Sequence, residues 1–214
     1  MPSVTNPPTA NHDSGRSQEF LNRDNLHTDD TNITSPGANT TDSGSHWSSF
    51  FTTSDIPDGA TIDGIEVTIR GYDGFGDDGW WLDLRLSYDG GTSWTSVTRM
   101  PSTGDFSGTS GSPNTRTVGS STDTWGRTWS KSELLGTTFK LDIKYDGDSF
   151  STDCDLEYCT ITVYYSTGGS TTNFQINIGD AWKSVAGMQI NIGDAWKAVA
   201  SAKINIGDAW KTIF

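Results

Sequence analysis

The side chains that could do chemistry are few in kind and unevenly placed. Three histidines, His12, His27 and His46, fall in the first quarter of the 214-residue chain, and no segment that alternates like a strand carries one. A zinc centre or a nucleophilic triad would draw on them, yet no HExxH, GxSxG or phosphate-binding glycine loop accompanies them. The two cysteines, Cys154 and Cys159, lie in DCDLEYCTITVYY. Their odd separation along one strand sends them to opposite faces, so free thiols are expected, with Cys159 in the core beside Ile161 and Val163. Oxygen ligands are plentiful in three acidic loops: Asp73 with Asp77 and Asp78, Asp89 in Tyr88-Asp89-Gly90-Gly91, and Asp146-Gly147-Asp148. Calcium takes about six to eight such oxygens. Asp and Gly are equally the residues of ordinary β-turns, and no loop has EF-hand spacing. Asp73, Asp77 and Asp78 stand as the calcium candidates, while the expectation is no cofactor. With 27 acidic residues in the chain, no chosen carboxylate pair marks a glycosidase centre. No catalytic residue and no enzymatic activity are expected.

Aromatic residues offer a different chemistry, since tryptophan faces stack on sugar rings. Of nine tryptophans, most are expected as core or strand-edge anchors. Trp81 is the candidate for surface recognition, because it shares a strand face with Asp83 and Arg85 beside the glycine-rich loop Gly71–Gly79.

These residues need strands to hold them. In IDGIEVTIRGY, Ile65, Val67 and Ile69 alternate with Glu66, Thr68 and Arg70. In WWLDLRLSYDG, Trp80, Leu82, Leu84 and Leu86 oppose Trp81, Asp83 and Arg85, and in TTFKLDIKYDG, Phe139, Leu141, Ile143 and Tyr145 oppose Lys140, Asp142 and Lys144. CTITVYY sets Cys159, Ile161, Val163 and Tyr165 on one side. Such alternation predicts half-buried antiparallel strands. Tyr88 to Trp94 reads as a hairpin turn, and Ser130 with Glu133 can cap a single helical turn. The apolar fraction, 32%, is low, while aromatics reach 11%. That suits a thin all-β sandwich better than a disordered chain.

A net charge of −13 argues against nucleic acid, which calls for cations in place of phosphate counterions, and against anionic membrane surfaces. It also fits adaptation to high salt. No apolar run is long enough for a membrane span, and the N-terminus has neither a basic nor an apolar signal region.

Four regions follow: an extended arm over 1–20, rich in Pro, Ser, Thr and Asn; a sandwich over 21–166; a Gly/Ser/Thr linker over 167–173; and three repeats over 174–214. The repeats place Trp182, Trp196 and Trp210 one every fourteen residues, the mark of a repeated supersecondary unit. Each reads as a hairpin: Ile176, Ile178, Gly179, Asp180 and Trp182; Ile190, Ile192, Gly193, Asp194 and Trp196; Ile204, Ile206, Gly207, Asp208 and Trp210. A two-residue Gly-Asp turn and a three-residue Gly-Asp-Ala loop both fit. An isolated short hairpin is marginal in water. The three must therefore close on one another as a meander or small prism, or associate between chains, with a homotrimer favoured.

The segment SDIPDGATIDGIEVTIRGYD is similar to the IP-x-GATI-x-GIxVxI strand pair of a domain found in structural proteins of tailed phages and archaeal viruses. DTWGRTWSKSELLGTTFKLDI resembles its WG-xxW-xxxxL…F segment, DLEYCTITVYY its closing strand, and DNLHTDDTN its opening motif. The likeness covers about residues 24–166. The INIGDAWK units resemble VNVGGxWK repeats at the ends of virus appendage proteins, with Asp where a second Gly is usual. The resemblance implies a non-catalytic jelly-roll-like module on the outside of a virion assembled in the host cytoplasm, whether head decoration, turret, fibre or tail appendage. Its partners would be copies of itself and other virion proteins. A host-surface glycan-binding adhesin is the alternative reading, and a polysaccharide depolymerase the third.

Overall fold

The computed structural model describes residues 1–16, 18–36, 42–73, 81–101, 106, 112–146 and 154–167, and six short strands between 175 and 212. The chain divides into two compact units, Met1–Ser166 and Thr167–Phe214.

Two antiparallel sheets form the first unit. One has four strands in the order β1-β9-β4-β7: β1 (Ser3–Asn6), β9 (Cys154–Thr167), β4 (Ala60–Asp73) and β7 (Asn114–Gly119). The other has five in the order β2-β3-β8-β5-β6: β2 (Ala10–Asp13), β3 (Asp42–Ser48), β8 (Lys140–Asp146), β5 (Trp81–Ser87) and β6 (Thr98–Pro101). Only the β2–β3 and β5–β6 connections stay within one sheet; every other step crosses the core.

The alternating residues meet in that core. Ile65, Val67 and Ile69 of β4 and Cys159, Ile161 and Val163 of β9 line one inner face; Leu82, Leu84 and Leu86 of β5 and Leu141, Ile143 and Tyr145 of β8 line the other. Trp80 lies outside the described residues. One end is filled by rings: Phe139 lies edge-on to Trp129 at 5.7 Å and to Phe50 at 5.8 Å. Each such pair adds about 0.5–1.5 kcal/mol beyond its buried area. Trp125 and Trp129 hold their indoles in place by donating to Ile65 O (2.9 Å) and Thr124 O (2.8 Å). The turn at Lys131–Leu134 is capped as its sequence suggests, Ser130 N donating to Glu133 Oε2 at 2.8 Å.

The first twenty residues do not form an arm. β1 pairs with β9, Val4 opposite Val163, and β2 pairs with β3, His12 opposite His46. The stretch escapes a pattern search because both strands have four residues and lie at sheet edges, where half the ladder faces solvent. For the same reason the expectation that strands carry no histidine fails: His12 lies in β2 and His46 in β3. β3 lacks apolar alternation because its inward residues Ser43 and Ser45 are small and buried, with the Ser45 hydroxyl donating to Glu19 Oε2 at 2.7 Å.

The cysteines are free and Cys159 lies in the core as expected, but the two do not point to opposite faces. Both are fully buried in the same core cluster. Burial alternates through Cys154 and Leu156 and resumes one residue out of phase at Cys159. At the phase change Glu157 is buried and accepts from Arg70 Nε at 3.1 Å.

In the second unit each repeat is its own two-stranded sheet: β10 (Gln175–Ile178) with β11 (Ala181–Ser184), β12 (Gln189–Ile192) with β13 (Ala195–Ala198), and β14 (Lys203–Ile206) with β15 (Ala209–Thr212). The three registers are identical, Asn177 opposite Trp182, Asn191 opposite Trp196, Asn205 opposite Trp210. Ile178 pairs with Ala181, which is the register of the two-residue connection and not of the three-residue loop.

Candidate functional site

The outer face of the five-stranded sheet carries an array of charge that the sandwich core makes inevitable. Where Leu141, Ile143 and Tyr145 point inward, Lys140, Asp142, Lys144 and Asp146 must point out. Register then sets them beside their neighbours. One row across the sheet reads His12, His46, Asp142, Arg85; the next reads Gly44, Lys144, Asp83. Residues directly opposed in a ladder have Cβ atoms about 4.5–5.5 Å apart, so these side chains interact.

Asp142 is the centre. Its side chain is 1% exposed, yet it lies on the outer face, because other side chains cover it. Arg16 reaches over from the turn after β2 and donates twice, Nη1 to Oδ1 and Nη2 to Oδ2, both at 2.7 Å. Arg85 Nε donates to Oδ2 at 2.6 Å. His46 Nε2 stands 3.3 Å from Oδ1, at ion-pair distance but outside hydrogen-bond geometry. Burial opposes ionisation of Asp142, but Arg16, His46 and Arg85 outweigh it and hold the carboxyl well below the usual carboxylate range.

The supports of Arg16 are local. The Ser14 hydroxyl, a single donor, lies within bonding distance of both Glu19 Oε1 at 2.7 Å and Gly44 O at 2.8 Å, and it accepts from Arg16 N at 3.2 Å. Gly44 gives the guanidinium room: a Cβ there would collide with the Arg16 head and stand 2.9 Å from Ile143 O. On the other side, Trp94 follows the Asp89-Gly90-Gly91 turn, with its indole donating to Gly91 O at 3.1 Å. Its ring lies 4.7 Å from the Arg85 guanidinium and 4.7 Å from the His46 ring. His12, at the far end of the row, bonds the Ser48 hydroxyl at 2.7 Å. Burial, then the charges of Lys140, His46 and Arg23, lower its pKa.

Between these side chains lies a cleft of about 290 Å³, lined by Arg16, Asp83, Arg85, Val97, Asp142 and Lys144. Asp142 already accepts three charged hydrogen bonds and is ill-suited to take a proton from a substrate.

Trp81 lies on this same face, opposite Asp146 and Pro101, half-buried and not the open platform expected. Its neighbours Asp83 and Arg85 reach the cleft. Asp73 ends β4, whereas Asp77 and Asp78 lie outside the described residues. So do Asp148 and the turn residues Gly179, Asp180, Gly193, Asp194, Gly207 and Asp208. Asp89 serves its own turn, accepting from Ser93 N at 2.7 Å. Among the described residues, no group of three His, Cys, Asp or Glu side chains is placed to hold a metal ion, and no helix is long and apolar enough to cross a membrane. Sequence reasoning missed Arg16, Trp94 and Asp142 as site members; His46 was noted only as one of three histidines, and Asp142 only as an acid between two lysines on a strand face.

No protein-family profile matches the chain, and no curated protein matches it at a significant level.

Proposed function

We propose that the chain is a non-catalytic structural protein of a tailed-virus particle, displayed on the exterior and self-assembling through its C-terminal repeats. The observation that carries this reading is the set of three hairpins with one register, each a sheet of only two four-residue strands. A two-stranded hairpin is marginal alone, and threefold repetition is how such units gain a partner for their apolar residues. The described pairs close within each hairpin, so further burial has to come from packing hairpins together or from another chain. A closed trimer is the arrangement favoured.

The sandwich supports the same reading. Strand order β1-β9-β4-β7 against β3-β8-β5-β6, with β2 added at one edge, favours a jelly-roll reading of the two antiparallel sheets. Jelly rolls serve viral capsids and lectins. The motif likeness over about residues 24–166 points to virion proteins. The cleft on the outer sheet face favours a second reading, a host-surface glycan-binding adhesin on the same virion. A depolymerase is the weakest fit, since it requires two available carboxylates across a cleft and Asp142 is committed to its arginines.

The test is the solution mass of the full chain against a chain ending at Ser166, the boundary of the first compact unit. A defined oligomer for the full chain and a monomer for the shortened one is expected. Two monomers, or two equal oligomers, would refute assembly through the repeats.

A further inference from the structure

We propose that the cleft on the outer face of the five-stranded sheet binds an acidic saccharide, its carboxylate received by the outer edge of Arg85 and its hydroxyls by Lys144 and Asp83. This deepens the glycan reading and is independent of how the chain assembles.

The argument starts from the state of Arg85. Its Nε is anchored on Asp142 at 2.6 Å, and its guanidinium lies against the Trp94 ring, 4.7 Å from the centroid. Those two contacts fix the plane of the guanidinium. Among the described residues its two terminal amino groups have no hydrogen-bond partner, and the side chain remains 33% exposed in the cleft wall. A guanidinium held from behind with its outer edge open is a preformed fork for a planar carboxylate. Preorganisation matters here, because ordering a free arginine would cost much of the affinity gained.

The cleft also selects what the carboxylate is attached to. Asp142 sits at the base but is saturated by Arg16, Arg85 and His46, so it repels an incoming anion less than its charge suggests. Lys144 and Asp83 stand opposite each other on the neighbouring row, and Lys144 also donates to Asp146 Oδ2 at 3.3 Å; an ammonium with three donors and a carboxylate with several lone pairs can still serve hydroxyl groups that both donate and accept. Val97 at the rim, 54% exposed, offers an apolar contact for a ring C–H face.

Saturation-transfer difference NMR on the full chain reads this directly, with sodium glucuronate and glucose as probes at constant ionic strength and sodium sulfate as competitor. Glucuronate is expected to show transfer about tenfold stronger than glucose, the difference attributed to one charge-assisted fork. Arg85→Lys keeps the charge and loses the fork, and should cut the glucuronate signal about tenfold. Val97→Glu alters only the rim and should abolish it, with an unchanged melting temperature to show that the fold is intact. Equal transfer to glucose and glucuronate would overturn the acidic class while leaving a glycan site standing. Removal of the glucuronate signal by much less sulfate than glucuronate would reduce the cleft to a bare anion site and overturn the proposal. No transfer to either sugar would overturn both this inference and the glycan reading.

Discussion

Asp142→Asn is the substitution that weighs the charged network on the outer sheet face. The carboxylate is 1% exposed and takes Arg16 through two bonds of 2.7 Å and Arg85 through one of 2.6 Å. Removing one partner of a buried ion pair costs about 3–5 kcal/mol, because the remaining charge is stranded. Here the stranded charges are arginines whose side chains are 14% and 33% exposed. Both recover part of their hydration, and an asparagine still accepts one bond, so about 2–3 kcal/mol is the expected loss. With a urea slope of about 2 kcal/mol per molar, the midpoint falls by about 1–1.5 M at unchanged slope. Urea titration followed by tryptophan fluorescence suits the case, since Trp47 is fully buried beneath this sheet. The loss should depend on pH in one direction. Asp142 has a folded pKa depressed below its unfolded value, so its contribution is present above about pH 4 and is lost as pH falls through the folded value. The gap between parent and variant should therefore be constant near neutrality and narrow in strong acid. A variant within about 0.5 kcal/mol of the parent at pH 7, or a gap that does not change down to pH 2, would refute the account.

Two further outcomes follow from the core. Cys154 and Cys159 are fully buried, and burial pushes the Cys159 thiol far up, so neither should react with a disulfide reagent in the native state; labelling should keep pace with unfolding, and rapid native labelling would contradict the packing. Gly119 stands at φ 83 where β7 ends, with its Cβ position against Ile65 O and 3.1 Å from Trp125 Nε1; Gly119→Ala should destabilise by more than the ~1 kcal/mol of backbone strain alone, and an unchanged melting temperature would show that the turn has room to move.

The long central strands were legible because burial on one face imposes a period of two; β4, β5 and β8 obey it with isoleucine, leucine and valine, and β9 does so from Cys159 onward. The edges were not. β1, β2 and β3 hold SVTN, ANHD and DSGSHWS, where serine, histidine and glycine replace the apolar members of the alternation. Their places are specified by register with a distant partner, which no local pattern records. The site shares that difficulty. Arg16 and Asp142 lie 126 positions apart, and nothing in either neighbourhood indicates the other. Arg85 was placed correctly on the face of Trp81 and Asp83, because that statement needs only one strand.

The pairing of β1 with β9 carries a consequence for how the protein is made. Ser3 is matched to Tyr164, so the sandwich's earliest strand in the chain is completed by its last. Until β9 is synthesised, β4 lacks one neighbour and β1 has none, leaving two open edges on a nascent chain. Closure over so long a loop is slow, because its entropy is lost before the ladder compensates. The polar character of β1 then has a reason beyond packing: a waiting strand of serine, threonine and asparagine stays soluble where an apolar one would seek the wrong edge.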